Sequence, residues 1–222
     1  MKKNPRLIII FSCFHFLCEA QVPVSKEPRH HNIFENGHIR LLDVHILPGD
    51  TTQFHIHATP SVFLILTNTV KVGSQVISEE KRAKLTTTDN ENIWYESFQK
   101  QPRIHRVWNA DTAEYHVMDI ELTNKDFIPI DSPIRQPFFK LLFDEIPVRV
   151  YRLSLSTIGS LPIPSRKADV LIVRLKDIPY DDYINGKSMR KQGDFIYIPA
   201  GNPIEIKKVN AGEDEYAFFE LK

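Results

Sequence analysis

Thiols are nearly absent from this 222-residue sequence, and the two present, Cys13 and Cys18, both fall in an N-terminal stretch that reads as removable. Without them the remaining chain has no cysteine nucleophile, no thiolate metal site and no disulfide. Charge of one sign is lacking too. Lys+Arg and Asp+Glu number 28 each, which removes the electrostatic reason to expect nucleic acid or an anionic membrane as partner. Beyond the N-terminus no hydrophobic run approaches the roughly 18 residues of a bilayer-spanning helix, so the mature protein is expected to have no membrane span. Nor does any window longer than about ten residues carry a clear helical period.

The N-terminus has the layout of a targeting segment. Lys2, Lys3 and Arg6 make a basic start, residues 7–17 are almost wholly apolar, and Cys18-Glu19-Ala20 places small residues where a signal peptidase inspects them. Residues 1–20 are therefore predicted to be a signal peptide cleaved near Ala20, with export to a periplasm or the exterior. A lipoprotein signal ending at Cys18 ranks second, because Phe14-His15-Phe16-Leu17 lacks the small residue wanted beside the cysteine.

What remains is 42% hydrophobic and 25% charged over the whole chain, enough to build a core. Short apolar or alternating runs at 38–47, 62–66, 149–155, 170–175 and 195–198, split by Pro, Gly, Asn and Asp, predict an all-β fold. The runs also repeat. Phe34-Glu35 matches Phe143-Asp144, Ile39-Arg40-Leu41 matches Val148-Arg149-Val150, and Val62-Phe63-Leu64-Ile65 matches Val170-Leu171-Ile172-Val173. Asn109-Ala110 and Glu114-Tyr115 return as Asn210-Ala211 and Glu215-Tyr216. Two similar units are expected, at 34–124 and 141–222, joined by a linker over 125–140 marked by Pro129, Pro133 and Pro137. Residues 21–33 read as an extended arm, with His30 and His31 exposed.

Chemistry concentrates in the first unit. Pro48-Gly49 is followed by His55-Ile56-His57, and on a strand positions i and i+2 share a face, so both imidazoles project into one cavity. His105, on a later strand, is followed four residues on by Asn109. Two ligands on one strand and one on a neighbour supply three converging lone pairs, the minimum for a metal.

With this spacing the sequence resembles the cupin superfamily. Gly49, His55 and His57 match its first motif, and His105 with Asn109 matches the end of its second. With the duplication, the resemblance implies a bicupin, two tandem double-stranded β-helix barrels covering nearly all of the mature chain. It also implies a divalent metal (Fe, Mn or Zn) at His55, His57 and His105, acting on a small organic molecule in a dioxygenase-like or isomerase-like way. The chain departs from the family where the Glu ligand falls on Ser61 or Val62 and where the motif-closing Gly and the Pro-x-Gly before His105 are missing. In the second unit Gly193 and Pro199-Ala200-Gly201 keep the turns. The His105 counterpart is Ile204 or Ile206, and residues 162–167 stand at the His-x-His region, so no metal site is expected there.

Further pocket candidates follow from parity and position. Gln53 shares the parity of His55 and His57, Arg103 that of His105, and Val62 stands at the lost carboxylate position. Glu96 would be the most useful replacement carboxylate, and His45 a fourth ligand or proton shuttle; His116 has lower standing. Each also has a plainer reading: a rim residue for Gln53, a solvated arginine for Arg103, a surface histidine for His45. Trp94, Tyr95 and Trp108 read as core packing, with a ligand-stacking wall as the alternative. Three functions stay open: a three-His metalloenzyme, a non-catalytic small-molecule or carbohydrate-binding module with a vestigial site, and a scaffold, as monomer or homodimer.

Overall fold

Strands whose residues are apolar on both faces must be covered twice, and that requirement organises this molecule. In β9 (Tyr115–Leu122) every residue from Val117 onward is buried, although Asp119 and Glu121 interrupt the apolar run. The computed structural model describes residues 21–69, 71–78, 92–128 and 130–222; the expected signal segment at 1–20 and Pro129 of the expected linker lie outside them. Among the described residues there is no α-helix, only a 3₁₀ turn at Val24–Lys26, and no helix long and apolar enough to cross a membrane.

The first half contains β1 (Val22–Pro23), β2 (His30–Glu35), β3 (Ile39–Ile46), β4 (His55–His57), β5 (Ser61–Ile65), β6 (Val72–Val76), β7 (Ile93–Glu96), β8 (Arg103–Asn109) and β9. They form a five-stranded sheet in the order β2-β3-β9-β5-β7 and a four-stranded sheet, β1-β4-β8-β6. The second half continues with β10 (Phe139–Asp144), β11 (Val148–Leu155), β12 (Gly159–Ile163), β13 (Asp169–Arg174), β14 (Asp182–Ile184), β15 (Lys187–Met189), β16 (Phe195–Ile198), β17 (Ile204–Lys208) and β18 (Asp214–Leu221). Its sheets run β10-β11-β18-β13-β16 and β12-β17-β14-β15. All four sheets are open.

The repeat holds in register at 34–41 and 143–150, whereas Val62 corresponds to Leu171, not Val170, and Tyr115 to Asp214, not Tyr216. Ile39 lies opposite Leu122 as Val148 lies opposite Leu221. The β2–β3 ladder slips between Asn32 and Phe34, and the β10–β11 ladder slips between Leu141 and Phe143. A trio of charges recurs as well. Arg40 joins Glu35 at 2.7 Å to Glu121 at 2.8 Å, and Arg149 joins Asp144 at 2.9 Å to Glu220 at 3.0 Å.

The two five-stranded sheets pack back to back. Ile39, Leu41, Val62, Leu64, Met118 and Ile120 from one half meet Val148, Val150, Leu171, Val173, Ala217 and Phe219 from the other in one continuous core. Gln192 stitches the seam by donating to the carbonyls of both Leu66 and Leu175. Inside the second half, Tyr151, Leu153, Ile172, Ile184, Met189, Ile206 and Phe218 fill the space between its two sheets. The corresponding core of the first half is smaller, formed by Val24, Leu42, Val44, Ile46, Ile65 and Val117.

The segment expected as an extended arm is part of the fold. β1 pairs in parallel with β4, β2 forms the edge of the five-stranded sheet, and Val24 is buried. The anchor is Glu27, a buried carboxylate that accepts from the backbone N–H groups of Arg29 (2.7 Å) and Gln53 (3.0 Å). His30, expected to be exposed, is buried as a consequence, while His31 is exposed. The linker is shorter than expected, because β10 begins at Phe139 and its ring enters the second core.

Candidate metal centre

The turn that delivers the histidines is fixed at both ends. Gly49 takes a left-handed φ of 80°, which favours glycine. Its N–H donates to the Asn109 carbonyl at 2.9 Å, and Asn109 N–H returns a bond to the Asp50 carbonyl at 3.0 Å. The Asn109 side chain is buried and donates to the carbonyls of Ile46 and Ala113. The Asn of the His-x-x-x-Asn motif is therefore a structural clasp that locks β8 against the Pro-Gly turn.

Beyond that turn β4 pairs antiparallel with β8, placing His55 directly opposite His105, with His57 two positions along the same face. Ring centroids stand 5.0 Å (His55–His57), 4.7 Å (His55–His105) and 5.0 Å (His57–His105) apart, with interplanar angles of 69–70°. This is close to a three-bladed propeller of imidazoles. One ligand nitrogen from each lies within 4.8 Å of the others.

Two of the three outer nitrogens, on His55 and His105, are hydrogen-bonded. His55 donates Nδ1–H to the Gln53 carbonyl at 2.9 Å, which leaves its lone pair on Nε2, 3.1 Å from His57 Nε2. His105 Nδ1 lies 3.0 Å from Ser74 Oγ, while its buried Nε2 has no protein partner. His57 Nδ1 faces Asp119 Oδ2 at 3.6 Å. Metal-ligating histidines are commonly held in this way, by a second partner on the far ring nitrogen that sets the tautomer. Two imidazole nitrogens 3.1 Å apart need a proton or a cation between them.

Electrostatics favour the neutral, ligand-ready form. Burial lowers the His55 pKa to about 4 and the His105 pKa to about 2, and drives His57 well below its ordinary value; the other imidazoles and the Arg103 guanidinium act in the same direction. Asp119 moves the other way: burial, and then the Glu121 carboxylate, raise it well above the usual carboxylate range. Both Asp119 oxygens lack hydrogen-bond partners. A divalent cation in the triad would supply the positive charge this carboxylate lacks, so the donor set and the orphaned atoms fit such an ion.

The imidazoles line a cavity of about 100 Å³ between the two sheets of the first half, room for a few waters or a ligand of few heavy atoms. Phe63, Trp94, Phe98, Val107 and Val117 are among the apolar residues of its wall. Arg103 and Glu96 line it as well, with Arg103 reaching Ser74 Oγ at 3.4 Å. Glu96 stands outside the ligand cluster.

Three expected pocket residues do not line this cavity. Gln53 precedes β4, so strand parity does not extend to it; its side chain is exposed and only its backbone serves the site. Val62 points to the core between the halves, the opposite side of the sheet. His45, on β3, faces the same side and pairs with Asp43 and Glu114. Trp94, expected as core, is a cavity wall stacked on Phe63 at 5.2 Å.

Sequence reasoning missed two contributors. His30 lines the cavity, its ring 4.8 Å from that of His55 and its Nδ1 2.7 Å from Glu27 Oε2. Glu27 is held down at a pKa of about 2: its bonds with His30 and the backbone of Gln53 and Arg29 outweigh the desolvation that opposes them. Asp119 was legible as a carboxylate in the midst of the apolar run Val117-Met118-Asp119-Ile120. His30 left no such signal.

No protein-family model matches the chain, and no curated protein matches it in sequence. Solved structures do. A cupin 2 conserved barrel domain protein from Leptotrichia buccalis matches at 12% identity and a TM-score of 0.50, over 86% of this chain and 88% of its own. The bacterial pirin YhhW from Escherichia coli, solved in complex with nickel(II), matches at 15% identity and a TM-score of 0.54, over 86% and 90%. Salicylate 1,2-dioxygenase from Pseudoaminobacter salicylatoxidans, solved as adducts with gentisate, matches at 8% identity and a TM-score of 0.56, over 85% and 70%. At these identities the likeness is one of fold.

Proposed function

The chain has a cupin fold, and from that premise we propose that it is an exported protein of two tandem cupin-like barrels. The first barrel holds a divalent metal at His55, His57 and His105 and acts on a small organic molecule. The observation that carries this reading is the propeller of buried imidazoles, with His55 and His105 hydrogen-bonded from outside. The pirin's nickel and the dioxygenase's gentisate adducts lend support, since both proteins share the fold.

Three neutral ligands leave the ion its full charge and open coordination positions, which suits Lewis-acid polarisation or the binding of oxygen beside a substrate. The chain's own residues do the rest. Phe63, Trp94 and Phe98 exclude water, Arg103 offers a cation to an anionic substrate, and Glu27 holds Nδ1 of His30 so that its other nitrogen serves the cavity. The small cavity favours a compact substrate. The second barrel is read as structural, with no metal.

The test is metal analysis of the purified protein, made without a polyhistidine tag, beside a His55→Ala/His57→Ala variant. The variant is expected to lose one equivalent of metal. A wild type that cannot be loaded with Fe(II), Mn(II) or Zn(II) at this site ends the metalloenzyme reading and leaves a binding module.

A further inference from the structure

At the edge of the five-stranded sheet's face toward the other half, with His116 beside Gly193, a second group of imidazoles meets carboxylates. Asp43 and His45 are two apart on β3 and so share a face, and His116 lies directly across from His45 on β9. One ligand atom from each of the three lies within 4.8 Å of the others. We infer that Asp43, His45 and His116 form a second divalent-cation site, separate from the inner triad and supported by Glu114.

The hydrogen-bond inventory carries the inference. Both nitrogens of His45 face carboxylate oxygens: Nδ1 is 2.9 Å from Glu114 Oε1 and Nε2 is 3.0 Å from Asp43 Oδ2. A neutral imidazole has one N–H, so one of these contacts sets a lone pair against an anion unless a cation intervenes. His116 Nε2 lies 2.6 Å from the other oxygen of the same carboxylate, and the two rings stack at 4.1 Å with 20° between their planes. Protons alone fill every contact only with His45 as an imidazolium stacked on a neutral His116 ring. A single divalent ion answers both demands, taking Nε2 of each histidine and the Asp43 carboxylate. Glu114 then keeps the His45 proton on Nδ1, the usual office of a carboxylate behind a metal-bound histidine.

The other half shows that the fold does not require imidazoles here. In the matching register, Arg152, Ser154 and Glu215 replace Asp43, His45 and His116, with Arg152 and Glu215 forming an ion pair at 3.7 Å. Two imidazoles and a carboxylate are a donor set suited to Zn(II), Ni(II) or Fe(II). The three groups are half-buried, so solvent ions have access.

The experiment is equilibrium dialysis of the untagged, chelator-stripped protein against Zn(II) and, separately, Ni(II). The wild type is expected to bind two equivalents, His45→Ala/His116→Ala one, and His55→Ala/His57→Ala one. Asp43→Asn, which keeps shape and folding, is expected to weaken the second site tenfold or more, with Glu114→Gln weakening it by about tenfold. The inference is overturned if His45→Ala/His116→Ala keeps both equivalents, or if Asp43→Asn leaves the second site's affinity unchanged. One equivalent in the wild type, lost only with His45 and His116, sustains this site and sinks the inner triad instead.

Discussion

Between its two sheets the second half packs a large apolar core and the first encloses a cavity lined by imidazoles, although both are drawn on one plan of strand order and bulge. Equivalent positions make the contrast specific. In the β3–β9 and β11–β18 registers Asp119 corresponds to Phe218, and across the β2 and β10 ladders His30 corresponds to Phe139. His105 opposite His55 becomes Ile206 opposite Leu161, and Arg103 opposite His57 becomes Ile204 opposite Ile163. At these positions the second half has traded polar groups for apolar ones and gained a larger core, although Tyr115 and Val107 become Asp214 and Lys208. Every histidine of the chain lies at or before residue 116, so the second half has no imidazole to give.

Importing the first half's chemistry into the second should break the comparison most severely. Phe218→Asp removes a fully buried ring from the second core and leaves an unpaired carboxylate there; a loss of at least about 4 kcal/mol is expected by denaturant unfolding. Phe218→Ala, which only opens a void, should cost about 3–5 kcal/mol with the fold retained.

Acid should separate the halves next. The His55 pKa falls from 6.5 to about 4 on folding, so unfolding takes up a proton below pH 6.5. That half is expected to hold full stability above pH 6.5 and to lose up to about 1.4 kcal/mol per pH unit per buried imidazole as pH falls toward 4. Glu27, depressed from 4.5 to about 2, adds its own loss only below pH 4.5. Native-state hydrogen exchange checks this: between pH 7 and 5 protection should fall in β4 and β8 and hold in β12 and β17. Equal loss in both would refute the contrast.

The reverse exchange should be mildest. Asp119→Leu removes an unpartnered buried carboxylate from the first half, so the metal-free protein is expected to melt no lower than wild type, with a gain of up to about 1 kcal/mol. Metal affinity should fall about tenfold or more as the carboxylate charge facing His57 is lost.

Much of this was legible in the sequence because strands carry their facing in parity. His55, His57 and His105 meet as the spacing implied, and the matched Ile39-Arg40-Leu41 and Val148-Arg149-Val150 mark equivalent strands. The losses occurred where parity has no purchase. Gln53 lies before its strand begins, and His30 arrives through a Pro-rich segment anchored by Glu27, a tertiary contact. The His-x-His counterpart falls at Leu161-Pro162-Ile163, not within 162–167, because β12 ends at Ile163. Val62 and His45 have strand parity but occupy the far side of the sheet, and which side faces the cavity is decided by the other half.

The seam between the five-stranded sheets has a consequence for how the protein withstands dilution. Were the halves separate chains, the apolar faces that meet through Leu41, Ile120, Val150 and Phe219 would be covered only while subunit concentration exceeded a dissociation constant. Joined in one chain, each face meets its mate at an effective concentration set by the connection alone. Association never has to be re-established after transfer to a large volume, and one partner is free to lose its ligands while still serving as the other's permanent cover.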